Sequence, residues 1–289
     1  MEVTAIALYG KSRQDENLGR ILDFMSLARA RGFRLMCHEK FARYLRGLGA
    51  SLGDDVAVFD GIPDADAAVS FGGDGTFLRT ARRLAGKDIP IAGVNTGNLG
   101  YLAHFSLDAP AVLLDGLRQS TLKIQPRNLV AVKGEGIPSD FICSALNEIA
   151  VQKDDSASMI NVNVMLDGYY LADYRADGLI VSTATGSTAY NLSVGGPILQ
   201  PEIDCMVISP IAPHSLTLRP IVVSGQSRLR LKMTSRTGFF RLSVDGYSCT
   251  LNDESRLEIE PARHKVLLLM PPDDTFSASL REKLLWGRN

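Results

Sequence analysis

Residues 67–79 read Ala-Ala-Val-Ser-Phe-Gly-Gly-Asp-Gly-Thr-Phe-Leu-Arg. The fold prediction starts from this stretch, which has the pattern of a strand, a glycine-rich turn and a helix. The apolar run that ends at Gly72 is typical of a buried strand, and a helical pattern begins at Thr76. The glycines in and after this run let the main chain turn sharply and leave its N–H groups uncovered. Beside the partial positive charge of a helix N-terminus, such N–H groups form a natural binding site for phosphate.

A single carboxylate, Asp74, stands in the middle of this turn. A carboxylate beside bound phosphates is repelled unless it holds a metal ion or takes a proton from an attacking hydroxyl. The alternative is a tight strand–helix turn in which Asp74 caps the helix. The five residues Gly72–Thr76 alone leave both interpretations open.

Strands and helices alternate on both sides of the turn. Val3–Leu8 and Ile89–Val94 are typical of buried strands, and Asn17–Arg31 has apolar residues at helical spacing. This alternation predicts an α/β domain with a mostly parallel sheet, in which ligands lie outside the carboxyl ends of the strands. The glycine-rich segment Asn95–Leu102 is expected at that edge. Lys11 lies in a damaged P-loop pattern, and we predict an ordinary strand–helix loop there.

The hydrophobic period changes near residue 105. Asp167-Gly168 predicts a hairpin turn between two of the short alternating runs that follow. These runs predict a β-rich, sandwich-like domain over residues 105–272, after an α/β domain over residues 1–104. The tail at 273–289 returns to a helical pattern and is expected to pack on the first domain. The predicted strands after residue 105 are Leu129–Val132, Phe141–Gln152, Ile160–Leu166, Tyr169–Tyr174, Gly178–Thr183, Ile221–Val223, Leu229–Met233, Phe239–Val244, Leu257–Ile259 and Val266–Met270.

The composition of the 289 residues narrows the classes of protein. A net charge of −1, from 31 basic and 32 acidic residues, argues against a nucleic-acid groove or a membrane-surface patch. The four cysteines stand far apart, without the spacing of a metal site or a disulfide framework. The N-terminus lacks a basic signal-peptide region, and no apolar run reaches membrane length. We therefore expect a cytoplasmic protein with no nucleic-acid or membrane partner.

A second cluster of polar residues lies in the β-rich half. Asn147 and Glu148 are adjacent in a strand-like run, so one of the two side chains must point inward unless the strand is a wetted edge. Residues 175–190 read RADGLIVSTATGSTAY. The small hydroxyl side chains around Gly186 offer hydrogen-bond donors without bulk, as recognition of a polar ligand needs. They are equally able to cap a helix that starts near Thr188.

Together these motifs resemble the NAD kinase family, whose members phosphorylate the 2′-hydroxyl of the adenosine ribose of NAD. The resemblance spans nearly the whole chain, although the GGDGT motif alone is shared with lipid kinases. The matching motifs are Gly72–Thr76, Asn95–Leu102, Asn147-Glu148, Asp177–Tyr190, Gly195–Ile198, Pro213–Leu216, Arg219-Pro220 and Leu280–Leu284.

The resemblance implies that Asp74 is the general base toward the ribose hydroxyl and that the surrounding turn holds nucleotide phosphate. Arg79 is either a phosphate ligand or a solvated surface residue, and Arg175 and Asp177 either contact NAD or form a structural salt bridge. Tyr247 is expected to approach the ligand from a neighbouring subunit, whereas we interpret His214 as structural. The residues that the resemblance assigns to nucleotide binding are Gly72, Gly73, Asp74, Gly75, Thr76, Arg79, Asn95, Asn147, Glu148, Arg175, Asp177, Thr188, Ala189, Tyr190, Ser193 and Tyr247.

The resemblance also implies the partners of the chain. ATP and NAD are the expected substrates, and Mg²⁺ or a similar divalent ion is expected to be carried mainly by the nucleotide phosphates, without a dense protein site. A homo-oligomer, dimer or tetramer, is expected. A GGDGT-type lipid kinase and a catalytically silent NAD(P)-binding sensor are the alternative functions.

Overall fold

A computed structural model describes residues 2–12, 14–97, 100–155 and 158–287. The chain forms two compact units. The first unit comprises Met1–Pro126 and Val266–Asn289, and the second comprises Arg127–Lys265. Among the described residues, no helix combines the length and the apolar character needed to cross a membrane.

The first part of the chain alternates strands and helices. In chain order these elements are β1 (Ala5–Gly10), α1 (Leu18–Ala30), β2 (Arg34–His38), α2 (Glu39–Gly47), β3 (Ala57–Phe59), β4 (Ala67–Phe71), α3 (Asp74–Leu84), β5 (Ile91–Asn95), β6 (Phe105–Ser106), α4 (Pro110–Arg118) and β7 (Lys123–Gly134). The helical start at Asp74 lies two residues before the predicted start at Thr76.

The rest of the chain is dominated by strands. Its elements are β8 (Ser144–Ala145), β9 (Glu148–Lys153), β10 (Ile160–Leu166), β11 (Tyr169–Ala176), β12 (Gly178–Thr183), a 3₁₀ turn (Thr185–Thr188), α5 (Tyr190–Ser193), β13 (Cys205–Ile211), β14 (Ile221–Ser224), β15 (Leu229–Thr234), β16 (Phe239–Val244), β17 (Tyr247–Asn252), β18 (Arg256–Met270) and α6 (Phe276–Lys283).

In the first unit, five strands form a parallel sheet in the order β3-β2-β1-β4-β5. The last part of β18 adds a parallel partner, because Leu268 pairs with Ile91 of β5. The strand order reverses between β1 and β4, and open α/β sheets bind their ligands at such a reversal, outside the carboxyl ends of the strands. The glycine-rich turn leaves β4 at this point, which confirms the predicted parallel sheet and gives the turn its place in it.

Burial explains why these strands lie in the middle of the sheet. Every residue of β4 is buried, as expected for a parallel strand covered by helices on both faces. Helix α1 buries Ile21, Phe24, Met25 and Ala28, which recur at the spacing of one helical face. The Phe24 ring packs edge-on against Phe71 at a centroid distance of 5.1 Å.

The second unit consists of two antiparallel sheets, as the change in hydrophobic period predicts. One sheet has the order β14-β13-β12-β9-β16-β17, and the other pairs β11, β10, β15 and the first part of β18. Buried residues of both sheets, such as Val181 and Val162, belong to one hydrophobic core. The arrangement is sandwich-like. Leu166 pairs with Tyr169 across Asp167-Gly168, which confirms the predicted hairpin.

Some details differ from the sequence prediction. Strands β13 and β17 were not predicted; β13 is almost wholly buried and therefore lacks the polar alternation that marks a half-exposed strand. The predicted run Phe141–Gln152 is divided into β8 and β9. The units divide after Pro126 and after Lys265 rather than at residues 104 and 272. The shift arises because side chains such as Leu113 and Leu269 pack into the first core.

Candidate active site

Asp74 is the first residue of α3, and its carboxylate reaches out to the second glycine-rich segment. Its Oδ2 accepts a hydrogen bond from the Tyr101 N–H at 2.8 Å, and its Oδ1 accepts one from the Leu102 N–H at 2.9 Å. These two donors belong to residues 101 and 102, which lie outside the helix that Asp74 begins. The carboxylate therefore joins the two glycine-rich motifs instead of capping its own helix.

The contact between Asp74 and the second segment requires a glycine at position 100. A Cβ atom on Gly100 would lie 2.2 Å from Asp74 Oδ1, far inside van der Waals contact. The backbone conformation at Gly100 does not itself require glycine. A side chain is excluded only because the Asp74 carboxylate lies so close. The neighbouring Asn98 and Leu99, which belong to the same predicted motif, lie outside the described residues.

The glycines of the first motif differ in their surroundings. The Gly72 N–H donates to Val94 O at 3.0 Å, so the prediction that it is uncovered is wrong. At Gly73 no described residue other than its chain neighbours comes within 4 Å of the position that a Cβ would occupy, and at Gly75 the nearest such atom is 4.0 Å away. Close packing within the protein therefore does not explain these two glycines. A ligand that approached the main chain at the N-terminus of α3 would account for them.

Two further residues of the first unit carry predicted binding roles. Arg79 is exposed on α3 and donates through Nη2 to the buried Thr76 Oγ1 at 3.1 Å. Its guanidinium thus lies one helical turn beyond the glycine turn. Asn95 Oδ1 accepts from the Gly97 N–H at 2.9 Å, which closes a local turn at the end of β5. Asn95 also lines a cavity of about 410 Å³ together with His104 and Lys283.

In the second unit, Asn147 and Glu148 lie where β8 gives way to β9. Asp245, in the turn between β16 and β17, fixes this point of the chain. Its carboxylate accepts from the N–H groups of Leu146 at 2.7 Å, Asn147 at 2.8 Å and Glu148 at 3.1 Å. No motif in the sequence pointed to this role of Asp245, because its partners lie about 100 residues earlier in the chain.

The Glu148 carboxyl group is held in an unusual environment. Burial and the nearby negative charge of Asp245 raise its pKa to about 8, while the Tyr190 N–H lowers it. Within the described part of the chain, no hydrogen-bond partner reaches the buried Glu148 Oε2. A ligand hydroxyl at this oxygen would supply the missing partner, because buried polar atoms are nearly always hydrogen-bonded. Asn147 is buried beside it.

The hydroxyl groups of residues 182–188 hold the main chain in place. Ser182 Oγ donates to Asn147 O at 3.3 Å, and Thr183 Oγ1 donates to Leu146 O at 2.6 Å. Gly186 must be glycine, since a Cβ there would lie 2.1 Å from Asn147 O. These hydroxyls therefore position the Asn147-Glu148 pair. Thr183 Oγ1 also accepts the Gly186 N–H at 3.0 Å, a cap-type contact at the 3₁₀ turn Thr185–Thr188 rather than at a helix that starts near Thr188.

The remaining residues of the motif lie at or near the surface of the second unit. Thr188 and Ala189 are partly buried, whereas Tyr190 and Ser193 are exposed, and Tyr190 OH accepts from Gln152 Nε2 at 3.3 Å. The Tyr190 N–H contributes to the environment of Glu148, so the motif and the Asn-Glu pair meet in space.

Charged residues at the end of β11 and directly after it complete the set. Asp177 Oδ1 forms an ion pair with Lys153 Nζ at 2.8 Å, whereas Arg175 extends into solvent. The partner of Asp177 in the described structure is therefore Lys153. Tyr247 begins β17, with an exposed fraction of 37%, as a residue that meets a neighbouring subunit would require.

The described residues offer few ligands for a divalent ion. In these ranges no three His, Cys, Asp or Glu side chains converge on one point. A Mg²⁺ ion needs one or two carboxylates and takes its other ligands from phosphates and water. These residues fit an ion that nucleotide phosphates and water would mostly ligate, and they include the Asp74 carboxylate at the start of α3.

Comparisons with known proteins identify the family. The family model described as "ATP-NAD kinase N-terminal domain" matches residues 57–121, and "ATP-NAD kinase C-terminal domain" matches residues 146–270. An NAD kinase of Bacteroides fragilis is 36% identical over 282 residues, covering 97% of each chain. The structure of an NAD kinase from Archaeoglobus fulgidus in complex with ATP covers 96% of this chain and 99% of that one, with 26% identity and a TM-score of 0.71. Yeast NADH kinase, solved with NADH, shares the fold with a TM-score of 0.89 at 22% identity, covering 100% of this chain and 89% of that one. The chain therefore belongs to the NAD kinase family.

Proposed function

We propose that Asp74 is the general base of the reaction that this chain catalyses as an ATP-dependent NAD kinase. Asp74 accepts the proton of the 2′-hydroxyl on the adenosine ribose of NAD. The 2′-oxygen then forms a bond to the γ-phosphorus of ATP while the bond to the leaving ADP breaks. The products are NADP and ADP.

The observation that carries this proposal is the fixed carboxylate of Asp74. Two main-chain N–H groups hold its two oxygens, and a carboxylate has further lone pairs with which to accept a proton. The open positions at Gly73 and Gly75 supply space for phosphate beside the N-terminus of α3. Phosphoryl transfer needs mainly positioning and charge stabilisation, and both are properties of this turn.

We propose that the Asn147-Glu148 pair binds the acceptor, together with Arg175, Asp177 and the surface residues of α5. The unpartnered Glu148 Oε2 supports this assignment because a ribose hydroxyl is a hydrogen-bond donor of the right kind. Asp245 positions the pair through three N–H groups without needing to touch NAD.

A divalent ion, Mg²⁺ by preference, would be held by the ATP phosphates near Asp74, where it would neutralise the charge of the transferring group. We further propose that the protein acts in the cytoplasm as a homodimer or homotetramer. Exposed apolar side chains on the edge strands β14 and β17, such as Val222 and Tyr247, support assembly through the second unit.

The proposal is tested by incubating the protein with NAD, ATP and Mg²⁺ and measuring NADP. The Asp74→Asn variant keeps the size of the side chain but does not accept a proton at neutral pH. We expect NAD affinity to stay within about threefold while turnover falls by about 10²–10⁴-fold, the usual effect of losing a general base. Turnover above about a tenth of the wild-type rate would contradict the assignment.

Two controls separate the alternatives. A wild-type protein that binds NAD without forming NADP would be the silent sensor, and phosphate transfer to detergent-dispersed lipid in place of NAD would indicate a lipid kinase. A general loss of folding in Asp74→Asn would appear as a fall in the thermal unfolding midpoint, which is measured on the same samples.

A further inference from the structure

The closing helix α6 carries a lysine that binds the segment on which Asp74 rests. Lys283, its last residue, donates through Nζ to Tyr101 O at 3.0 Å and to Ala103 O at 3.2 Å. The ammonium group also lies 5.6 Å from the centre of the Tyr101 ring, within the range of a cation–π contact. All of these residues belong to the first unit.

One peptide group links Lys283 to Asp74. The carbonyl of Tyr101, which accepts from Lys283 Nζ, belongs to the same peptide unit as the Leu102 N–H, which donates to Asp74 Oδ1. A positive charge on the carbonyl polarises the peptide, so its N–H becomes a stronger donor. The Tyr101 N–H, on the preceding peptide, holds the other carboxylate oxygen.

The position of Lys283 is itself fixed by neighbouring groups. Thr275 caps α6 by accepting from the Ala278 N–H at 3.2 Å. Asp274, just before the helix, lies 2.5 Å from His104 Nδ1 and accepts from Ser279 Oγ at 3.2 Å. Burial raises the pKa of Asp274. Three neighbours lower it by a larger amount: His104 through a hydrogen bond and its charge, Lys283 through its charge, and Ser279 through a hydrogen bond. The pKa of Asp274 therefore lies below its usual value. The carboxylate thus remains an anion beside the ammonium group.

We propose that Lys283 is a positioning residue for the general base, acting through the Tyr101–Leu102 peptide. It does not touch the substrates; it holds the segment at residues 101–103 so that both oxygens of Asp74 keep their N–H partners. This inference rests on the proposed role of Asp74. A displacement of about 1 Å in a reacting group can reduce the rate by about 10²-fold, so a positioning contact of this kind affects turnover.

The experiment replaces Lys283 by Met, which keeps the length of the side chain and removes its charge and donors. The matched control is Arg281→Met, which removes a cation from an exposed position of the same helix. For Lys283→Met we expect kcat to fall by about 10- to 100-fold with KM for NAD and ATP changed less than about threefold. Arg281→Met should keep kcat within about twofold, and Lys283→Arg should restore a large part of the loss because it returns a cationic donor.

Two further readouts separate positioning from general stability. Hydrogen exchange of the Tyr101 and Leu102 amides should become faster in Lys283→Met and stay unchanged in Arg281→Met. In an Asp74→Asn background, Lys283→Met should lower kcat by less than about twofold, because the group that it positions is already gone. Lys283→Gln, which keeps a neutral donor, is measured in the same way where the Met variant folds poorly.

The outcomes are distinct. An unchanged kcat in Lys283→Met and Lys283→Gln, a loss confined to KM, or an equal loss in Arg281→Met would overturn the inference. Full additivity of the Lys283 and Asp74 substitutions would also overturn it. Nearly wild-type turnover of Asp74→Asn would instead overturn the proposed function. This result does not depend on how any Lys283 variant behaves.

Discussion

At the scale of single residues, Glu148 is a carboxyl group whose surroundings disfavour its charge. The folded protein holds the proton up to a pKa of about 8, whereas the unfolded chain releases it near 4.5. Below pH 4.5 both states are protonated, and above pH 8 both are ionised. Between these values only the folded state binds the proton, so the free energy of unfolding falls as the pH rises, by about 1.4 kcal/mol per pH unit at most.

The Glu148→Gln variant tests this linkage. Glutamine is neutral at every pH, so its stability lacks this dependence. We expect the thermal unfolding midpoint of the variant to rise relative to the wild type as the pH is increased from 5 to 8, and the difference to level off above 8. Midpoints that run parallel across this range would show that Glu148 does not keep its proton in the folded state.

Gly100 provides a second test at this scale. A methyl group at Gly100 would meet Asp74 Oδ1 at 2.2 Å, so Gly100→Ala must displace the carboxylate or the segment. We expect kcat to fall by at least about tenfold, since misplacement of a catalytic group is costly.

The control for this variant is Gly19→Ala on the exposed face of α1, where a Cβ would have no described residue outside its own helix backbone within 4 Å. It should keep full activity and gain up to about 1 kcal/mol of stability, because alanine is the better helix former. Equal activity of Gly100→Ala and the wild type would mean that the Asp74 contact does not govern turnover.

At the scale of elements, the turn between β16 and β17 positions the start of β9. Asp245 and Gly246 both have positive φ, 46° and 82°, as a two-residue hairpin turn of this type requires. The same aspartate receives three N–H groups from residues 146–148. The turn therefore has two functions, since it reverses the chain and fixes the segment that carries Asn147 and Glu148.

Asp245→Asn tests the second function. The asparagine amide has one oxygen and one NH₂ group, and the NH₂ group cannot accept a hydrogen bond. At least one of the N–H groups of residues 146–148 therefore loses its acceptor, which lowers the free energy of unfolding by about 1–3 kcal/mol. We expect both a lower unfolding midpoint and weaker NAD binding, measured by calorimetry. The comparison variant is Asp167→Asn in the other Asp-Gly hairpin, whose carboxylate accepts one main-chain N–H, from Arg228, and the Ser227 hydroxyl. That variant should lose less stability and keep its NAD affinity; equal effects at both turns would contradict a special role for Asp245.

At the scale of the whole molecule, the chain combines two units with different kinds of sheet. The parallel sheet of the first unit has a strand reversal, and the glycine-rich turn follows β4 at this reversal. The antiparallel sheets of the second unit have edge strands, and exposed edges are usually paired or covered. Val222 on β14 is 50% exposed and Phe239 on β16 is 47% exposed, which leaves apolar surface near these edges.

We therefore expect the protein to sediment as a dimer or tetramer at micromolar concentration. Val222→Asp places a charge on the exposed side of β14 and should shift the distribution toward smaller species if that edge is in the interface. We expect the Val222→Asp protein to keep its fold, because the Val222 side chain is 50% exposed and is not part of the hydrophobic core. A wild-type monomer with full activity would contradict the proposed assembly.

Several features could be read from neighbouring residues in the chain. The apolar run before Gly72, the glycine turn and the helix after it predicted the parallel sheet and the edge of the sheet at which the turn lies. The Asp167-Gly168 pair predicted a hairpin because only a few residues adopt the left-handed conformation of such a turn. The family motifs predicted the NAD kinase family. All of these signals are local, since spacing and turn chemistry act over a few residues.

The partners of the candidate site residues were decided only by the tertiary structure. Lys283 and Tyr101 are 182 positions apart in the chain, Asp245 and Leu146 are 99 apart, and Asp74 and Tyr101 are 27 apart. The sequence alone left Asp74 open between a helix cap and a reacting group, and it assigned the hydroxyls around Gly186 to a ligand or a cap. Contacts over such separations depend on which strands pair and in which register, and those choices are made by burial of the two cores rather than by local propensity.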